Sequence, residues 1–221
     1  MNQSLDIEVV SDHVCPWCYV GKKRLEAAIA QRPELDIRIT WQPFQLSPDM
    51  PREGRKRLDH YREIFGEQRA EIIMHSMKDT GREEGIAFGS SPDAMSPNTL
   101  SAHVLMLLAR ETEGVDANEV AEKLFHAHHV ACENLGDLAV LGRIAGEAGM
   151  DEDAVAARLA SSEDEQRVIE QIKASVGRGV SGVPFFIIEG RYGFSGAQPA
   201  EMFVTAFDRI AAEKASASID Q

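Results

Sequence analysis

The sequence predicts an α/β protein in which a β-α-β unit and a β-β-α unit are separated by a long helical segment. Three observations predict it. Residues 5–44 read as strand, helix, strand; residues from about 58 to 176 carry only helical periodicity; strand patterning returns at 184–194, ahead of a last helix. Strands parted by a helical block of that size imply one α/β core (1–50 and 178–212) split by an all-helical insertion (51–177), with 213–221 as a disordered tail.

Each element follows from its residues. Leu5, Ile7 and Val9 alternate with Asp6 and Glu8, the period of a strand, and Ser11-Asp12-His13 makes a turn. From Cys15 to about Arg32 the pattern is helical: Cys18, Leu25, Ala28 and Ile29 lie on one side, Lys22, Lys23 and Glu26 on another, and Pro33 stops it. Ile37, Ile39 and Trp41 alternate with polar residues to form a second strand, which a right-handed crossover would set parallel to the first. Pro48, Pro51 and Gly54 make residues 46–57 a loop. Ser96-Pro97 offers an N-cap with proline at the first helical position, followed by the apolar face of Leu100, Val104, Leu107 and Leu108. Further helices fit 117–130, 137–148, 151–160 and 163–176, the second of these opened by Asp137. Pro184 to Ile188 and Arg191 to Phe194, joined through Glu189-Gly190, read as a hairpin, and Pro199 opens a helix with Met202, Phe203, Ala206 and Ile210 on one face.

Composition narrows the function. The chain has 221 residues, 43% hydrophobic and 27% charged, with a net charge of −13. A field of that sign repels phosphate backbones and anionic lipids, so neither nucleic acid nor membrane is an expected partner. No apolar run approaches the ~20 residues a bilayer requires. The first ten residues have neither a basic nor an apolar segment of the secretory kind, so a cytoplasmic location is expected. Three cysteines make no disulfide framework, but two of them stand three apart.

Cys15-Pro16-Trp17-Cys18 is the strongest signal. It directly follows a predicted strand and opens a predicted helix, the placement of a thioredoxin-like redox motif. Free N–H groups at a helix N-terminus favour a thiolate there, and the thiolate is the attacking species in thiol–disulfide exchange. Residues three apart on a helix share a face with Cβ atoms ~5–6 Å apart, close to what a disulfide needs. Pro16 suits the first turn, where its missing N–H costs nothing. A zinc set of Cys15, Cys18, His128 and Cys132 is the rival reading; the long separation and the interior Pro-Trp argue against it, and no metal is expected.

With Gly182-Val183-Pro184 included, the chain resembles the DsbA-like thioredoxin superfamily. More narrowly it resembles the FrnE branch, related to the 2-hydroxychromene-2-carboxylate isomerases. Ser11 to Gly21, Trp41-Gln42-Pro43-Phe44, Asn98 with Ala102-His103, and Gly179 to Gly196 carry the likeness. The resemblance implies a thioredoxin-like fold with Cys15 as nucleophile and Cys18 as resolving thiol. It implies a cis Val183–Pro184 bond against the disulfide, and a Val183 backbone that pairs with an extended peptide or with glutathione. Pro16 and Trp17 join Val183 and Pro184 in contacting substrate, and Asn98 is a candidate glutathione contact or a cap for the next helix. No tightly bound cofactor is implied. Glutathione is a candidate co-substrate, the partners are thiol- or disulfide-bearing proteins or small molecules, and a homodimer is compatible. Trp17 stands where DsbA has histidine, which removes a cation from beside the thiolate. Glutathione-dependent isomerases and kappa-class transferases, the alternative reading, carry serine at the first motif position. Cys132 reads most simply as a buried helical residue, and His13 as a turn residue two before the nucleophile.

Overall fold

The computed structural model describes residues 4–219. Its main sheet has four strands in the order β2-β1-β5-β6: β1 (Ser4–Ser11), β2 (Asp36–Pro43), β5 (Phe185–Ile188) and β6 (Tyr192–Ser195). β1 runs parallel to β2, with Ile7 opposite Ile39, and antiparallel to β5, with Val9 opposite Phe186. α1 (Pro16–Ala30) provides the crossover from β1 to β2. Leu5, Ile7, Val9 and Val10 are all buried, as a central strand with covered faces requires. The hairpin turns on Glu189 and Gly190, both at positive φ, and Arg191 N donates to Ile188 O at 3.1 Å.

The inserted segment begins with a short antiparallel ribbon, β3 (Arg55–Lys56) against β4 (Met95–Ser96), enclosing α2 (Arg57–Phe65) and α3 (Glu67–Glu83). α4 (Leu100–Glu111), α5 (Ala117–His129), α6 (Leu138–Glu147), α7 (Glu152–Leu159) and α8 (Ser162–Gly177) follow. α4 is buried from Leu100 to Ala109, as a helix apolar on every side must be, and α5 to α8 pack around it. Asp116, Asp137, Asp151 and Ser161 cap the helices that follow them with side-chain acceptors. The apolar core is continuous from β1 through Trp41 and Phe125 into α4. Trp41 Nε1 donates to Asn118 Oδ1 at 2.7 Å, and Arg110 Nη1 to Trp41 O at 2.9 Å, tying α5 and α4 to β2.

Four expectations are corrected. The insertion is not all-helical, because residues 55–56 and 95–96 pair as strands across a separation no local pattern reports. α4 starts at Leu100 instead of Pro97, since Ser96 is spent in the ribbon and Asn98 Oδ1 accepts from Leu100 N. The 213–221 tail is helical to Ile219, within α9 (Ala200–Ile219). Lys214 Nζ anchors it there through Ser4 O and Glu189, each at 2.7 Å. Cys132 is not helical: α5 ends at His129 and Cys132 adopts a left-handed φ of 59° in the turn beyond.

Candidate active site

The Asp12-His13-Val14 turn delivers Cys15 from the end of β1 to the head of α1, and Cys15 N donates to Asp12 O at 3.0 Å. Cys15 is the N-cap in an extended conformation, with no side-chain capping bond, so its sulfur is not spent on its own helix. Pro16 follows in the first turn, and Cys18 N donates to Cys15 O at 3.0 Å.

The loop before β5 approaches from the other side. The Val183–Pro184 bond is cis, and the Cys15 thiol donates to Val183 O at 3.7 Å. Gly21, one turn further along α1, permits this approach: a Cβ there would lie 3.0 Å from Phe186 Cζ and 3.2 Å from Pro184 Cγ. Both thiols are free, with Cys15 4% and Cys18 2% exposed, whereas Trp17 stands 39% exposed beside them. Burial pushes the Cys18 thiol up well above its ordinary pKa. The bond to the Cys15 sulfur and the charge on that sulfur push the same way, against weaker help from Ser11 and the Asp12 backbone. Cys18 therefore holds its proton while it lies beside Cys15.

Behind the pair lies an aromatic and histidine seam. Tyr19 stacks on Phe125 at 5.2 Å and on His129 at 6.0 Å between ring centroids, and its hydroxyl donates to Glu122 Oε1 at 2.8 Å. Lys22, almost wholly buried, donates to Glu122 Oε2 at 2.6 Å and also to Glu26; Lys23 reaches Glu122 Oε1 at 2.8 Å. Burial alone would raise the Glu122 carboxyl, but these bonds hold it at about 2. His13 lies 4.9 Å from His103 and 5.2 Å from Phe125. Burial, then the His103 and His129 charges, hold His13 well below the usual histidine range. It is thus neutral and gives Cys15 no cation.

The structure brings Cys15, Cys18 and Val183 together, with Pro16 buried against the helix and Trp17 open to solvent. Asn98 is not among them: its amide donates to Met50 O at 2.7 Å and accepts from Leu100 N at 3.0 Å, the local structural role. His128 and Cys132 make no set with the motif. The His128 ring lies against Arg57 Nη2, and no group of three or more His, Cys, Asp or Glu among the described residues is placed to hold a metal. Sequence reasoning missed Ser11 and the Asp12 backbone as neighbours of Cys18, although the polar triplet before the motif marked the spot. It also missed Tyr61, whose hydroxyl is pushed up by burial, against the Arg57 charge, with a smaller push the same way from Cys15.

Residues 6–208 match the model of the DSBA-like thioredoxin domain family. The structure of the probable DsbA oxidoreductase SCO1869 from Streptomyces coelicolor is 28% identical, with 95% of this chain and 91% of that one covered at a TM-score of 0.84. A 2-hydroxychromene-2-carboxylate isomerase is 16% identical, with 96% and 98% covered at 0.70. The cytosolic disulfide reductase DsbM from Pseudomonas aeruginosa is 19% identical, with 93% and 99% covered at 0.65. The last two are likenesses of fold. No helix among the described residues is long and apolar enough to cross a membrane.

Proposed function

Because the chain belongs to the DSBA-like thioredoxin domain family, we propose that it is a cytoplasmic thiol–disulfide oxidoreductase of the FrnE kind, working through Cys15 and Cys18. The observation that carries this reading is the asymmetric pair: Cys15 at the head of α1, its thiol against Val183 O and free of any capping bond, and Cys18 one turn on, held as a thiol. In the reducing direction the Cys15 thiolate attacks a substrate disulfide and one substrate sulfur leaves as thiolate. Cys18 then loses its proton and attacks the Cys15 sulfur, which releases the second substrate thiol and closes Cys15–Cys18. The pair gives up two electrons, and a low-molecular-weight thiol such as glutathione returns them. Trp17 and the Val183 backbone form the face an extended substrate meets.

Cys15→Ser is expected to abolish insulin reduction, and the wild-type dithiol to follow a two-electron transition across glutathione redox buffers, with ~30 mV per tenfold change in equilibrium. Persistent insulin reduction in Cys15→Ser would overturn the reading. Tight glutathione binding without any Cys15–Cys18 disulfide would shift it to glutathione-dependent isomerisation.

A further inference from the structure

A cavity of about 480 Å³ opens between α2, α3 and the 88–94 segment. Met74, Met77 and Phe88 give it an apolar wall, and Arg57, Tyr61 and His129 also line it. Its walls reach the helix that carries the redox pair. Phe88 and His129 pack on Tyr19, the residue after Cys18, at 6.4 and 6.0 Å between ring centroids. Tyr61, in the lining, feels the charge of Arg57 and, more weakly and in the opposite sense, that of Cys15. A space of this size suits a small molecule.

Arg57 is the unusual member. Arg55 pairs with Glu63 and Arg62 with Glu67, as expected in a chain with 36 acidic and 23 basic residues. Arg57, by contrast, has no carboxylate partner within 4.0 Å among the described residues. Its Nη2 donates to His128 O at 2.9 Å, and its Nε is buried without a partner. The charge is felt next door: burial, and then Arg57, depress His129 to about 3, and His129 Nε2 is itself buried and unpartnered. The one carboxylate of the lining, Glu71, is exposed at the rim with Lys78. A half-buried cation with no carboxylate partner among the described residues, beside an apolar wall and sharing Tyr61 as a neighbour with Cys15, fits a ligand that brings the missing anion.

We propose that this cavity is the subsite for the substrate half next to the sulfur that Cys15 attacks. It takes small disulfides, or the corresponding thiols in reverse, whose apolar body packs on Met74, Met77 and Phe88 and whose carboxylate pairs with Arg57. This rests on the redox reading above. Cys15 thiolate bonds to one sulfur and the other leaves as an arenethiolate. Cys18, after giving its proton to solvent, then displaces the second arenethiolate, so the two electrons lost by the pair reside on the two released thiolates.

Two aryl disulfides test it: 5,5′-dithiobis(2-nitrobenzoate), with one carboxylate per ring, and neutral 4,4′-dithiodipyridine. Their second-order rates are measured by stopped flow on the reduced full chain in a Cys132→Ser background. Arg57→Gln is expected to lower the anionic-to-neutral rate ratio about tenfold, and Arg57→Lys to restore most of it. Met77→Glu, which leaves Arg57 and its bond to His128 in place, is expected to lower the ratio similarly and decides the matter should Arg57→Gln fail to fold. A ratio within about twofold of wild type in the folded variants would overturn the subsite and leave the redox reading standing. Failure of the wild-type pair to react with either probe would overturn both.

Discussion

The two buried sides of α1 meet their neighbours by opposite chemistry. Toward the sheet the contacts are apolar: Gly21 lies under Phe186 and Pro184, and Leu25 and Ala28 follow at helical spacing, both buried. Toward α5 they are polar: Tyr19, Lys22 and Lys23 converge on Glu122, and His129 stacks behind Tyr19. The motif cysteines stand at the end where the two sides meet. The sheet side holds its geometry by shape, so it responds to volume. The α5 side holds it by satisfied polar groups, so it responds to protons and to the loss of a partner.

Acid should separate the two sides most strongly. His13, His128 and His129 are buried and held low, His129 at about 3, chiefly by burial. They are neutral in the fold but protonate in the unfolded chain below about pH 6.5, so the unfolded state binds more protons and stability falls as pH drops through that value. Each adds a slope of about 1 kcal/mol per pH unit, so the three steepen the fall together. Urea midpoints between about pH 7.5 and 5 should fall steeply; a flat profile would mean that the seam does not carry this linkage. Next in size is Glu122→Ala, which strips the Tyr19 hydroxyl and Lys22 of a shared partner and should cost about 3 kcal/mol. A Lys22→Met/Glu122→Leu double variant should cost less than the single one, because the buried charge leaves with its partner. A double variant worse than Glu122→Ala would show that the ionic contacts stabilise the seam outright.

The contrast also separates what was legible in the chain from what was not. The sheet side is local. Alternation in Leu5 to Val9 and Ile37 to Trp41, the Cys15 to Cys18 spacing and the apolar run after Pro184 specify β1, β2, α1 and β5 within a residue or two. The α5 side is assembled from distant residues: Tyr19 and Glu122 are 103 positions apart, and no periodicity couples them. Only the His126-Ala127-His128-His129 run hinted at it, and it reads equally well as a helix end. The 55–56 and 95–96 ribbon escaped for the same reason, since two-residue strands carry no pattern. Asn98 was visible as a polar residue at a helix start, but its partner, the Met50 carbonyl, lies in a loop whose path the sequence does not state.

The smallest change that probes the sheet side is Gly21→Ala. Alanine at a helical glycine lowers the entropy of the unfolded chain and on its own should stabilise by up to about 1 kcal/mol. Here the added Cβ meets Phe186 Cζ at 3.0 Å and Pro184 Cγ at 3.2 Å, so a close-packed ring must shift by a few tenths of an ångström. Overpacking of this kind costs about 1–3 kcal/mol, leaving a net loss of about 1 kcal/mol. Pro184, the second of the two crowded rings, is bonded to Val183, whose carbonyl receives the Cys15 thiol, so exchange should slow several-fold alongside that loss of stability. Thermal melts and insulin-reduction rates on the same preparation separate the two effects. A variant that is more stable and equally fast would show that Pro184 yields freely, and that shape is not what holds this side of the site.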